Sequence, residues 1–341
     1  MSSLKDISDA LLNSDKILLA SHENPDYDAL GSMLALATGL KSLGKDVNLY
    51  NSGNIPNHLK FLPDWEIVNN DLSAFKDNYD LFVLLDCTDI YRPGKSFGDY
   101  INNYYEKELK RGSESGSQKN KLMIIDHHNT NSSDTGLTLI DVDASSTGIL
   151  VYKLLQQLHI NINKNIADCL LSTIIGDTGS YRYSNTNSEA LRISGELLEA
   201  GADLTMITRA IYENEPLKKI KLVSEALNTL EVDETKKIAS VYVDESMYKK
   251  TDTTREDTEG IVNILRSIDG VSVAIFYKQD YLNGNKLPIW KVSLRSKYDV
   301  DVSKIAKSFG GGGHIKAAGF SIEGSIKNVK NEVLQSVKKV I

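Results

Sequence analysis

Three consecutive side chains, Asp126-His127-His128, constrain this chain more than any other feature. They follow the run Lys121-Leu122-Met123-Ile124-Ile125, which reads as a short buried strand. A carboxylate and two imidazoles at the end of such a strand are costly to bury unless each is hydrogen-bonded, paired or bound to a metal. Ligands of open α/β sheets sit at the carboxyl ends of the strands. The triplet is therefore where a metal site is expected.

Three further apolar segments deliver the same kinds of group at their ends. Lys16-Ile17-Leu18-Leu19-Ala20 runs into Ser21-His22-Glu23-Asn24-Pro25-Asp26-Tyr27-Asp28, and Leu81–Leu85 runs into Asp86. The helical stretch Ala167–Ile175 is followed by Gly176-Asp177-Thr178-Gly179. Each residue alone has a plainer reading. Asp28 could cap a helix, Asp86 and Asp177 could sit in turns, and either histidine could be a satisfied polar residue. Their joint order, His-x3-Asp-x-Asp, then Asp, then Asp-His-His, then Asp, is what favours a metal site. A mixed His/Asp set suits Mn²⁺ or a similar borderline-hard divalent ion better than structural zinc.

A length of 341 residues suggests about two domains. Cys87 and Cys169 lie in or beside apolar segments and make no disulfide framework. The N-terminus lacks the layout of a signal peptide, and no apolar stretch approaches the roughly 20 residues of a membrane span. A cytoplasmic protein without a membrane partner is expected. The net charge of −7 argues against duplex nucleic acid as a partner. Residues 286–341 nevertheless carry eleven Lys or Arg against four Asp or Glu. A cationic end and an acidic, metal-capable body suit a small anionic substrate. Lys327, Lys330, Lys338 and Lys339 read as residues of solvated helix faces.

Strands and helices alternate through the first half. A helix from about Asp28 to Leu43 stops at Gly44, strands are expected at Val47–Tyr50, Leu81–Leu85 and Leu137–Ile140, and a helix at Ser146–Leu158. The 96–121 stretch reads as a helix followed by a polar surface loop. Alternation of this kind predicts an α/β fold with a doubly wound, mostly parallel sheet. Helical patterns continue to residue 230, and strand signal resumes at Ile238–Val243. A helix over about 254–268, strands at 271–277 and 289–294 and a helix ending at Phe309 follow. The expected division is a metal-binding domain over 1–195, a helical connector over 196–232 and a smaller α/β domain over 233–341.

The second strong signal is Ser308-Phe309-Gly310-Gly311-Gly312-Gly313-His314-Ile315-Lys316-Ala317-Ala318-Gly319. Glycines let the backbone approach an anion closely, and His314 and Lys316 add side-chain donors. A flexible hinge is the alternative. The run is neither a dinucleotide fingerprint nor a P-loop.

On these residues the chain resembles the DHH phosphoesterase superfamily, which includes the RecJ nucleases and the family II inorganic pyrophosphatases. The resemblance implies two divalent ions, Mn²⁺ with Mg²⁺ or Co²⁺ as alternatives, in a doubly wound α/β domain. It places His22, Asp26 and Asp86 on one ion and Asp28, Asp86, His127 and Asp177 on the other. Asp86 then bridges, His128 faces substrate phosphate and Asp126 orients the neighbouring imidazoles.

The stretch around Gly311, Gly312, Gly313 and His314 with Ala317-Ala318-Gly319 is similar to the DHHA1 domain that accompanies DHH domains in nucleases of short substrates. There it binds the nucleotide end of the substrate, which implies a substrate role for these residues, for Lys316 and for Arg295. The two motif sets together resemble the bacterial nano-RNases. Hydrolysis of very short single-stranded RNA and of 3′-phosphoadenosine 5′-phosphate is the activity this implies, with room for a homodimer. A stand-alone cyclic dinucleotide (c-di-AMP) or pApA phosphodiesterase is the alternative.

Overall fold

A computed structural model of the chain describes residues 2–75, 79–110, 122–128, 136–233, 237–280 and 287–341, the side chains of 107–110 excepted. The polar end of the 96–121 stretch, residues 111–121, lies outside these residues. The chain divides into two compact units, residues 1–214 and 215–341.

The first unit is built on six strands: β1 (Lys16–Ser21), β2 (Asp46–Tyr50), β3 (Val68–Asn69), β4 (Leu81–Leu85), β5 (Leu122–Asp126) and β6 (Leu137–Ile140). Their spatial order is β3-β2-β1-β4-β5-β6 and every pairing is parallel. A parallel sheet is buried on both faces, so its strands are near-continuous apolar runs. Alternate residues go to different layers. Ile17, Leu19, Val83, Leu85, Met123 and Ile125 enter one core, while Leu18, Ala20, Phe82, Leu84, Leu122 and Ile124 enter another.

Helices α1 (Leu4–Leu12), α2 (Tyr27–Ser42), α4 (Thr147–Gln157) and α5 (Lys164–Asp177) cover the first face, and α3 (Lys95–Lys110) covers the second through Phe97 and Ile101. Helices on both faces make the sheet doubly wound, as the alternation predicts. The order reverses between β1 and β4, the point at which such sheets open a crevice beyond their carboxyl ends.

Helix α2 is buried along nearly its whole length. Glycines remove the side chains that would hold α2 and α4 away from α5. A Cβ on Gly31 would stand 2.7 Å from Thr173 Cγ2 and 2.8 Å from the Cys169 carbonyl oxygen. On Gly148 it would stand 1.9 Å from Thr173 Oγ1. Helices α6 (Ser188–Glu199) and α7 (Leu204–Tyr212) pack on α5, whereas α8 (Leu217–Leu227) packs on a strand of the second unit. The 196–232 stretch therefore shares its contacts between the two units.

The second unit has six strands, β7 (Glu231–Asp233), β8 (Ile238–Val243), β9 (Val273–Gln279), β10 (Ile289–Ser296), β11 (Gly312–His314) and β12 (Ala317–Glu323), in the order β11-β12-β10-β9-β8-β7. Only β8 and β9 run parallel among the described pairs. The sheet is thus mixed and smaller in its core. One face packs on α11 (Val302–Ser308) and α12 (Ile326–Lys338) through Val292, Leu294, Val329 and Val333. The other packs α8, α9 (Glu245–Thr251) and α10 (Ile261–Ser267) against β8 and β9. The single helix expected over 254–268 is broken: Gly260 has φ +88°, which separates a 3-10 turn at Glu256–Thr258 from α10. Among the described residues no helix is long and apolar enough to cross a membrane.

The glycines of the two helices make a matched test of this packing. Alanine exceeds glycine in helix propensity by about 1 kcal/mol, and Gly195 on α6 has open space around it. Gly195→Ala should therefore raise the urea midpoint. Gly31→Ala should lower it, because overpacking against a backbone oxygen costs about 1–3 kcal/mol. Equal stabilisation by both would show that α2 and α5 are not in close contact at Gly31.

Candidate metal centre

Eight of the predicted side chains converge at the carboxyl ends of β1, β4 and β5. His22 follows β1, Asp86 follows β4, and Asp126 ends β5 with His127 and His128 after it. Asp26 and Asp28 begin α2, and Asp177 ends α5. Three groups of donor atoms result: His22, Asp26 and Asp86; Asp28, His127 and Asp177; and Asp86, His127 and His128. Within each group the donors lie within 4.8 Å of one another. Asp86 and His127 each belong to two groups, so the three form one continuous cluster.

Local structure explains each placement. Asp26 caps α2, its Oδ1 accepting the Asp28 and Ala29 amides at 3.0 Å each. Asp28, the cap candidate in the sequence, is instead a buried helical residue pointing inward. Its Oδ2 accepts the Thr147 amide at 2.7 Å and its Oδ1 the Gly148 amide at 3.0 Å, both at the start of α4. Asp86 adopts φ +59°, a left-handed conformation that Asp tolerates better than most residues. Its amide donates to the Ile125 carbonyl at 3.0 Å, and its Oδ1 accepts the Thr147 hydroxyl at 3.1 Å.

The histidines are held by their outer nitrogens. His127 Nδ1 lies 3.1 Å from the Ala144 carbonyl and His22 Nδ1 lies 3.0 Å from the Glu23 carbonyl. With Nδ1 turned to a carbonyl, each Nε2 faces inward, where it offers a lone pair once its proton is lost. His22 Nε2 lies 3.4 Å from Asp86 and 3.8 Å from Asp26. His127 Nε2 lies 3.2 Å from Asp177, 3.5 Å from Asp28 and 3.8 Å from Asp86. That nitrogen is buried and makes no hydrogen bond to the described residues. His128 differs: its Nδ1 and its amide both meet Asp126 Oδ1, at 2.8 Å and 3.0 Å, and its ring is half exposed. Asp126 touches His128 in this way, while the Ala144 carbonyl orients His127.

The electrostatics of this cluster fit a divalent cation. Burial, with Asp86 and Asp177 beside it, pushes the Asp28 carboxyl well above its ordinary range. Burial also raises Asp86. Burial opposes the charged form of His22, but Asp26 and Asp86 outweigh it and lift that ring to about 10. His127 rises likewise to about 10 against burial, through Asp177, Asp28 and Asp86. Asp177 closes a helix whose carboxyl end already carries partial negative charge. Protons on the imidazoles hold this arrangement together, and a cation among the carboxylates would do the same more strongly. Nitrogen and carboxylate oxygen donors in mixed number, with a buried unpartnered Nε2, are what a divalent metal ion takes.

Several supporting residues were not singled out in the sequence. Thr147 and Gly148 contribute a helix N-terminus, and Asn51, fully buried, donates to the His22 carbonyl at 2.9 Å and to Ser21 Oγ at 3.1 Å. A polar residue directly after an apolar strand was the one signal available for Asn51.

The remaining predicted residues belong to the second unit. Arg295 on β10 and His314 on β11 both pair with Ala317 of β12, so they share one row and one sheet face. Ser293 and Gly319 form the next row on that face. Gly310 and Gly311 end α11, donating their amides to Lys307 at 3.1 Å and Ala306 at 2.9 Å. The Gly311 amide is thus committed to a helix end. Gly312 and Gly313 lie on the edge strand, and Lys316 is exposed in the β11–β12 turn. A Cβ on Gly313 would stand 2.5 Å from the Ala317 carbonyl oxygen, which accounts for glycine there without a ligand.

Comparison with known proteins adds to this geometry. The DHH family N-terminal domain model matches residues 16–174, and the DHHA1 domain model matches residues 235–341. The chain is 28% identical over 324 residues to the bifunctional oligoribonuclease and PAP phosphatase NrnA of Thermus thermophilus, covering 95% of this chain and 89% of that one. It is 27% identical over 311 residues to the protein of the same name from Bacillus subtilis, covering 90% of each. The crystal structure of an exopolyphosphatase-related protein from Bacteroides fragilis superimposes with a TM-score of 0.85 at 26% identity, over 98% of this chain and 95% of that one.

The raised histidines set the pH dependence of metal uptake. Both rings are protonated at neutral pH in the metal-free protein, and each must lose its proton to ligate. Mn²⁺ affinity should rise by about tenfold per pH unit for each imidazole displaced between pH 6.5 and 8.5. Calorimetry in buffers of different ionisation enthalpy should show proton release. Uptake without proton release would exclude these imidazoles as ligands.

Proposed function

This chain belongs to the DHH/DHHA1 phosphoesterase family and is a hydrolase, and we propose that it cleaves short oligoribonucleotides a few nucleotides long and removes the 3′-phosphate of 3′-phosphoadenosine 5′-phosphate. We further propose Mn²⁺ as its metal, two ions per site. The observation that carries the reading is the cluster in which Asp86 and His127 each serve two donor groups. Relatives named oligoribonuclease and PAP phosphatase, matched along nearly their whole length, support the choice of substrate.

In this reading His22, Asp26 and Asp86 hold one ion, and Asp28, Asp86, His127 and Asp177 hold the other. Such ions supply Lewis acidity and activate water when bound. The chain's own groups do the rest. Asp126, by accepting from Nδ1, fixes the His128 ring with Nε2 outward and raises its proton affinity. His128 Nε2 can then donate a proton-bearing hydrogen bond to a phosphoryl oxygen as charge builds there. Asp28, clamped by the α4 amides, keeps its carboxylate in place without movement during turnover. Residues 233–341 serve as the substrate-binding domain, with Arg295 offering a bidentate contact to phosphate and Gly312, Gly313, His314 and Lys316 beside it.

Purified chain with Mn²⁺ should convert pApA to mononucleotides and pAp to AMP. Asp86→Asn should lower kcat by about 10³-fold or more, the scale at which one charge-stabilising group is lost. Arg295→Ala should raise KM for pApA while leaving Mn²⁺ affinity unchanged. Turnover of c-di-AMP in preference to pApA would favour a cyclic dinucleotide phosphodiesterase instead. Absence of turnover on all three, with metal bound, would refute the reading.

A further inference from the structure

A cavity of about 250 Å³ lies in the second unit between α12 and the β7–β8–β9 part of the sheet. Its walls explain why it is there. Helix α12 is seated by Val329, Val333 and Val337, which are buried. Its neighbouring stripe, Ile326, Lys330 and Leu334, overhangs β8 and β9, where Ser240, Tyr242, Ile275 and Tyr277 face it. The opposite side of β8 carries Ala239, Val241 and Val243 in an ordinary apolar core. Packing alone would ask for aliphatic residues under the helix as well. The chain instead places three hydroxyls there.

Those hydroxyls are unspent. Tyr277 is 1% exposed, and a buried phenol ordinarily finds a hydrogen-bond partner. Among the described residues, however, no hydrogen bond engages its hydroxyl, nor those of Ser240 and Tyr242. Lys330, read from the sequence as part of a solvated face, is largely buried, 2.6 Å from Glu231 and 5.7 Å from the Tyr242 ring centre. Glu231 neutralises it, so the cation left to meet an anion is Lys327 at the exposed rim, next to Asn331. The cavity thus combines two aromatic rings, aliphatic walls from Ile275, Ile326 and Leu334, three hydroxyls that can donate or accept, and a cationic mouth.

We infer that this cavity is a binding site for a small planar aromatic anion of the nucleoside monophosphate class, its ring between α12 and the two tyrosines and its anionic group at Lys327. A base-sized ring fits the volume, which lies just below that of pockets for drug-sized ligands. The inference does not depend on the metal cluster, whose residues all lie in the first unit.

The chain has two tryptophans, Trp65 and Trp290. Trp290 lies against Tyr242, with ring centres 6.2 Å apart. In full-length Trp65→Phe protein kept in EDTA, Trp290 fluorescence reports on this cavity. AMP and GMP should quench it saturably. Ser240→Leu, which fills the cavity, and Lys327→Glu, which reverses charge at an exposed position, should each weaken the titration by tenfold or more, with Mn²⁺-dependent activity retained when metal is restored. Arg295→Ala should leave the titration unchanged. No saturable change up to millimolar AMP and GMP, or titrations indifferent to Lys327→Glu, would overturn the inference whether or not the protein hydrolyses nucleotides.

Discussion

The candidate centre depends first on one buried interaction, the Asp28 carboxylate held by the N-terminus of α4. The Thr147 and Gly148 amides approach its two oxygens at 2.7 Å and 3.0 Å, and Ser32 adds a hydroxyl at 3.2 Å. A helix N-terminus carries partial positive charge and unpaired amides, so it is a natural seat for an anion. Those amides act against burial and the neighbouring Asp86 and Asp177, which push the Asp28 carboxyl well above its ordinary range. Glycines 31 and 148 each lie against Thr173, so both α2 and α4 pack closely on α5. The Thr147 hydroxyl then reaches Asp86, which joins the two halves of the cluster. Packing, polarity and donor geometry are therefore one constraint.

The two units divide different kinds of work. The first buries acids and imidazoles at a strand reversal and fixes them from behind with carbonyls, amides and a helix end. The second has a small mixed sheet, with Arg295 and His314 in one row on one face and hydroxyls and lysines under α12 on the other. Glycines serve distinct purposes in the two units. At 31 and 148 they bring helices together around a carboxylate. At 311 and 313 they let the edge strand lie against β12, where any side chain would meet a carbonyl oxygen of that strand.

Much of this was legible in the sequence because the strands of a doubly covered sheet are continuous apolar runs that end abruptly. His22, Asp86 and His127 stand out as polar residues at those ends, and the structure brings them together with Asp26, Asp28 and Asp177. The identity of the α2 cap was not legible, since Asp26 and Asp28 are equally good caps in isolation and only the approach of α4 draws Asp28 inward. Ala144 and Thr147 were silent because they act through a carbonyl, an amide and a hydroxyl rather than a distinctive side chain. The break at Gly260 and the committed amide of Gly311 show the other limit. Glycine signals a special backbone, but whether that backbone ends a helix, lines a site or permits close packing depends on distant neighbours. Lys330 looked like a solvated lysine because helical spacing alone does not reveal that Glu231 and Tyr242 face it.

The central claim is that the side chains around Asp86 and His127 form a two-ion site. Mn²⁺ binding followed by electron paramagnetic resonance tests it most directly. The account predicts two ions per chain and the spectrum of an exchange-coupled pair. It also predicts that Asp86→Asn, which leaves the other donors in place, abolishes the coupling. Binding of a single ion, or of two ions with uncoupled spectra in the wild-type protein, would contradict it.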